Sequence, residues 1–213
     1  MKVSSIPLPQ PPSGRKALAT YESLLAAAER VLAADGLPGL NSTVVAAQAG
    51  VATGTFYTYF ADKDALLAAL FARRLDDISA AVEAALAGEA LTAGGLEPAL
   101  RGAVRAVLQG YRAHATVIRA ALARIPDSPL LRAVYWERHQ RASAEVGRFL
   151  RRGAAAGVVR RGGHQSLSLA MLVIVQGLNH PVVLAGEPRQ VAAVSDHLVR
   201  ALAGLLRPDP AAS

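Results

Sequence analysis

The chain has 213 residues, 52% of them hydrophobic and 18% charged, which is too much apolar material for a disordered protein and enough for a sizeable core. It contains no cysteine, which excludes disulfides and thiol chemistry and fits a reducing cytoplasm. The formal net charge of +7 suits an acidic partner such as nucleic acid, yet the arginines gather late, from Arg138 to Arg161, where a solvated helix face explains them.

The first sixteen residues hold Pro7, Pro9, Pro11 and Pro12. These interrupt any apolar run, so the segment reads as a polyproline-like arm and not as a signal peptide. A first helix is expected from about Thr20 or earlier to Ala34, where Leu24, Leu25, Ala28, Val31 and Leu32 recur at helical spacing. Gly36 and Pro38-Gly39 stop it. Asn41 or Ser42 can cap a short second helix, because a short polar side chain accepts from the unpaired first-turn N–H groups. Gly50 then permits a tight turn, and a third helix runs from about Thr53 to Tyr59.

The fourth helix is capped by Asp62 and continues to about Ala87, with a loop marked by Gly88 and Gly94-Gly95. Further helices are expected at about 97–113, 115–123, 129–156, 165–184 and 188–206. No alternating strand pattern appears, so the fold class is all-α. From Gly163 to Gly186 there is no charged side chain, but Gln176, Asn179, His180 and Pro181 interrupt the apolar run. A helix buried among partner helices fits that stretch better than a membrane span.

Two short helices joined by a Gly-containing turn form a helix-turn-helix, which places its second helix in the major groove of DNA. The stretch NSTVVAAQAGVATGTFYTYFADK, with Gly36, Ala49, Gly50, Val51, Gly54, Thr55, Phe56, Tyr57, Tyr59, Phe60, Lys63, Ala65 and Leu66 in register, resembles the tetracycline-repressor (TetR) family of bacterial transcriptional regulators. The match runs without gaps from Leu24 to Leu67. That resemblance implies a three-helix headpiece at 17–61 after an arm at 1–16. It also implies a helical ligand-binding and dimerisation body at 62–207 and a tail at 208–213.

The resemblance implies phosphate contacts from Thr43, Thr55, Tyr57, Tyr59 and Lys63, and base-edge approach by Thr53, Gly54 and Thr58, and it counts Asn41, at the cap, among the DNA-binding residues. Hydroxyls and helix N-termini position on phosphate, and Thr can meet a thymine methyl. Several positions depart from the family pattern. Asn41 stands for Thr, Ser42 for an apolar residue and Ala52 for a capping Ser, while Thr53 and Thr58 occupy places where many members carry Lys or Arg. The segment from Asn41 to Phe60 has no Lys or Arg at all.

In the body, an effector pocket is expected among Leu108, Tyr111, His114, Tyr135, Trp136, His139, Leu172, Gln176 and Asn179, which combine apolar walls with a few polar groups. For each alone, a place in the core or on the surface is the simpler reading. The last two long helices, with Val173, Ile174, Leu178, Val191, Val194, Leu198, Leu202 and Leu205, look like the family's dimerising pair. The implied function is a homodimeric repressor in the cytoplasm, bound to a palindromic double-stranded DNA operator and released by a small molecule. A helical small-molecule-binding protein with weak or lost DNA affinity is the alternative. No catalytic motif is found, and the five histidines are scattered without metal-ligand spacing. No enzyme activity, cofactor, metal or membrane association is therefore expected.

Overall fold

The computed structural model describes residues 10–87 and 95–208. The first nine residues of the arm, the loop segment from Gly88 to Gly94 and residues 209–213 of the tail lie outside the described residues. Every regular element among the described residues is helical. The chain forms two compact units: one holds residues 1–75 and 116–138, the other 76–115 and 139–213.

The first unit begins with α1 (Arg15–Gly39), α2 (Ser42–Ala49) and α3 (Thr53–Tyr59). It continues with α4 (Lys63–Ala85) as far as Leu75, most of α6 (Ala115–Arg124) and the first part of α7 (Pro129–Ala155). Helix α1 starts at Arg15, earlier than its apolar spacing suggests, because Leu18 N–H already bonds Gly14 O at 2.7 Å and no breaker follows. Gly36 interrupts it with φ 66 and ψ −166, a conformation that glycine adopts at little cost. The core of this unit is Leu24, Leu25, Ala28, Val31, Val45, Phe56, Leu66, Leu67 and Phe71. Arg74 clamps Glu29 with two short bonds of 2.7 and 2.6 Å, and Arg73 pairs with Glu22, so α4 is tied to α1. Arg124 of α6 holds Asp64 at 2.9 Å, and this bond raises the guanidinium's already high pKa.

The second unit contains the rest of α4 and α7, α5 (Leu96–Ala113), α8 (His164–Gln176), a 3₁₀ turn (Gly177–Asn179), α9 (Pro181–Leu184) and α10 (Pro188–Leu206). Helices α5 and α10 pack together and are joined by the ion pairs Arg101–Asp196 and Arg207–Glu97. Arg112 reaches Val183 O and Gly186 O, each at 3.4 Å, which satisfies carbonyls at the end of α9.

The single helix expected over 165–184 is broken. Pro181 disfavours helical backbone at His180, which is extended at φ −65 and ψ 135, so the chain tightens into the 3₁₀ turn and restarts. Leu178, Val191 and Leu202, expected at a dimer interface, are instead buried in the chain's own core. Leu169, Val173, Ile174, Val194 and Leu205 remain exposed. Among the described residues, no helix is long and apolar enough to cross a membrane.

Candidate nucleic-acid interface and effector-binding residues

The geometry of the headpiece begins with how α2 is closed at both ends. Asn41 is its N-cap, with the side-chain carbonyl accepting from Val44 N–H at 2.9 Å. Gly50 closes the other end in the left-handed region, at φ 71 and ψ 29, and Val51 N–H returns to Ala46 O at 3.0 Å. Two side chains of α1 complete this end, Ser23 bonding Ala49 O at 3.1 Å and Arg30 bonding Gln48 O at 3.0 Å. Nothing in the sequence pattern singled out these two braces.

Helix α3 is oriented by its aromatic residues. Phe56 is fully buried, and its ring lies 5.7 Å from that of Phe60. Tyr21 of α1 stacks on Phe60 at 5.1 Å and meets Tyr59 edge-on at 6.4 Å. Burial pushes the Tyr21 phenol pKa up, with the Glu22 carboxylate adding to the rise and Arg73 opposing it. Tyr59 is therefore half-buried against α1, less available than the sequence suggests.

With Phe56 and Phe60 inward, the opposite face of α3 is left to solvent. Gly54 and Thr58 are exposed, Thr53 and Thr55 half-exposed, and Tyr57 is 56% exposed. A methyl group added at Gly54 would meet nothing within 4 Å, so the chain's own packing does not require glycine there. Ala52 is the N-cap of α3 at φ −66 and ψ 148, and it makes no side-chain cap bond. Thr43 and Lys63 are exposed on the first turns of α2 and α4. The capping role of Asp62 is observed: its carboxylate accepts from Ala65 N–H at 2.7 Å. The Tyr57 hydroxyl lies 2.9 Å from Ser42 Oγ, a link across the turn that sequence spacing did not indicate.

The face thus offers neutral hydroxyls, one glycine and one ammonium group. Hydroxyls and Lys63 can position on phosphate oxygens. Thr53 and Thr58 can meet base edges, but α3 has no guanidinium for bidentate contact with guanine.

The nine expected effector-site residues fall in two groups. Tyr135 and Trp136 belong to the first unit, where their rings meet edge-on at 6.3 Å and Trp136 is 42% exposed. The other seven belong to the second unit. There the Gln176 side-chain nitrogen lies 3.3 Å from Nδ1 of His139, which links α8 to α7. Burial lowers the pKa of His139, favouring the neutral ring. Asn179, in the 3₁₀ turn, has a buried side-chain oxygen with no hydrogen-bond partner. Leu108, Tyr111, His114 and Leu172 are half-buried on α5, at its C-cap and on α8. Among the described residues, no group of three or more His, Cys, Asp or Glu is placed to hold a metal ion.

Residues 24–70 match the model of a family described as bacterial regulatory proteins, tetR family. Among solved structures, the chain is similar to a Mesorhizobium loti protein assigned to the TetR-family transcriptional regulators. The identity is 16% with a TM-score of 0.72, covering 92% of this chain and 100% of that one. It is also similar to the fatty acid degradation regulator FadR from Bacillus halodurans, at 19% identity and a TM-score of 0.71, covering 91% and 97% of the two chains. A third similar structure is SmeT in complex with triclosan, at 20% identity and a TM-score of 0.68, covering 90% and 93%. A search of curated proteins returns no match. At these identities the structural likeness shows the fold.

Proposed function

Because the chain carries the N-terminal headpiece of the bacterial tetR family at residues 24–70, we propose that it is a transcriptional repressor. It binds a palindromic DNA operator as a homodimer and is released by a small molecule. The observation that carries this reading is the α2–Gly50–α3 geometry, in which buried Phe56 and Phe60 turn Thr53, Gly54, Tyr57 and Thr58 outward. Asn41, Thr43, Thr55, Tyr57, Tyr59 and Lys63 set the headpiece on the phosphate backbone, and Thr53, Gly54 and Thr58 approach the bases. Sequence preference then rests on hydroxyl and methyl contacts and on DNA shape.

Exposed Leu169, Val173 and Ile174 of α8, with Val194 and Leu205 of α10, support a two-fold dimer through these helices. Such a dimer spaces two recognition helices by about one DNA turn, roughly 34–36 Å. Release follows when effector binds more tightly to a body conformation that misfits adjacent grooves. One structural neighbour holds triclosan, which supports a mostly apolar effector here. Its polar groups would be met by His139, Gln176 and Asn179, with Leu108, Tyr111, His114 and Leu172 of the same unit around it. The protein acts in the cytoplasm and is not an enzyme.

A second reading, a small-molecule-binding protein with weakened DNA affinity, draws on the uncapped Ala52 and the absence of cations on α3. The two are separated by binding of a fluorescent duplex, selected with the parent protein, to a Tyr57→Ala/Lys63→Ala variant. Loss of affinity with the dimer intact is expected from the repressor. Affinity equal to the parent's contradicts the headpiece assignment.

A further inference from the structure

We infer that Ser42 is a positioning residue for DNA binding, and that its hydroxyl holds the Tyr57 phenol in place to donate to a backbone phosphate oxygen. This rests on the DNA-binding reading above and goes one step further, to a residue on α2 that the sequence did not place at the interface.

The two hydroxyls are 2.9 Å apart although fifteen positions separate them. Ser42 opens α2 and Tyr57 lies in the middle of α3, so the bond bridges the two helices on their solvent side. Tyr57 is 56% exposed, and its ring touches Phe56 only edge-on at 5.3 Å. Such a ring has little packing to choose its rotamer, and a phenol that swings freely loses entropy whenever it must make a directed contact. The bond to Ser42 removes that freedom in advance.

It is not needed to hold α2 against α3. The Gly50 turn, with Val51 N–H on Ala46 O at 3.0 Å, and fully buried Phe56 already do that. An exposed hydroxyl pair adds little to stability, because water competes for both partners. Its chemistry points outward instead. Two hydroxyls carry two protons, and their mutual bond uses one. The other remains to be donated to an acceptor outside the chain, and the first bond polarises the second. A phosphate oxygen is such an acceptor, and it lies where the headpiece docks. The contact carries no base information. It fixes the register of α3 in the groove, on which contacts from Thr53 and Thr58 depend.

The test uses the full-length protein and a duplex selected by the parent, with Kd measured by fluorescence anisotropy at low and high salt. The variants are Ser42→Ala, Ser42→Thr, Tyr57→Phe and the double variant Ser42→Ala/Tyr57→Phe. Lys63→Ala is the charged control. Ser42→Ala is expected to bind about five-fold more weakly at both salt concentrations, since a neutral hydroxyl releases no counterion. Ser42→Thr restores affinity, and melting temperature is unchanged throughout. Adding Ser42→Ala to Tyr57→Phe costs nothing further. Lys63→Ala differs, its loss shrinking as salt rises.

Parent-like affinity of Ser42→Ala, or losses that simply add in the double variant, would overturn the positioning role. A melting temperature that falls in step with affinity, unrescued by Thr, would overturn it too. If these results come with a tight-binding parent and a weakened Lys63→Ala, only this inference fails. If the parent selects no duplex above non-specific binding, the DNA-binding reading fails and the positioning role falls with it.

Discussion

Replacing Ala52 by Ser should stabilise the recognition helix. Ala52 occupies the N-cap of α3 with extended backbone, φ −66 and ψ 148, which is the conformation that a capping side chain requires. Its own carbonyl already accepts from Thr55 N–H at 2.9 Å, but its methyl group can accept nothing. One helix earlier, Asn41 shows what a cap does in this chain, accepting from Val44 N–H at 2.9 Å. Ala52 is exposed, so a hydroxyl there displaces no neighbour. Exchanges between Ala and a good cap are worth about 1 kcal/mol, within a range of roughly 0.5–2. In a chain of this length, that corresponds to a rise in Tm of about 2–4 °C. Far-UV circular dichroism during heating measures the shift, and amide exchange across Thr53–Tyr59 locates it. Asn41→Ala should lower Tm by a similar amount. An unchanged or lower Tm in Ala52→Ser, alongside a drop in Asn41→Ala, would refute the argument that α3 lacks a cap it can use.

Three other outcomes follow from the same geometry. Phe56→Ala removes a fully buried ring and should cost about 3–5 kcal/mol by urea denaturation, with a loss under 1 kcal/mol speaking against its place in the core. Gly54→Ala, where an added methyl meets nothing within 4 Å, should stabilise the chain by about 0.5–1 kcal/mol yet weaken operator binding. Stabilisation with full affinity would mean that DNA does not approach that backbone. Glu145 has its carboxyl pushed above the usual range by burial, then by Glu83, against Arg148 and Arg141, with Asp76 adding to the rise. The unfolded chain therefore ionises there first, and stability falls as pH rises from the ordinary carboxylate value through the raised one. Glu145→Gln should be more stable than the parent at pH 7 and no more stable at pH 4. A difference independent of pH would contradict this.

Much of the headpiece was legible because its signals are local. Gly36 and Gly50 stand where the backbone needs positive φ, and Asn41 and Asp62 cap the helices that follow them. Phe56 and Phe60 sit four apart, which sends them to one face of α3. What escaped depends on partners distant in the chain. Neither the Ser42–Tyr57 bond nor the braces from Ser23 and Arg30 can be read from spacing, since each spans an intervening turn. The break after Gln176 had its signal in Gly177 and Pro181, but the apolar run around them favoured one long helix. Periodicity likewise selects apolar positions without saying whether the chain or a second copy covers them. Leu178, Val191 and Leu202 were therefore grouped with Val173 and Ile174, and only their burial separates them.

The central claim, that this headpiece reads DNA as part of a two-fold dimer, is tested most directly by selecting bound sequences from random duplexes with the purified protein. Binding of the selected sequence is then titrated against salt. The account predicts a palindrome whose half-sites are about one turn, roughly 10–10.5 bp, apart, with affinity falling steeply as salt rises. Recovery of sequences without two-fold symmetry, or of nothing above non-specific binding, would contradict it.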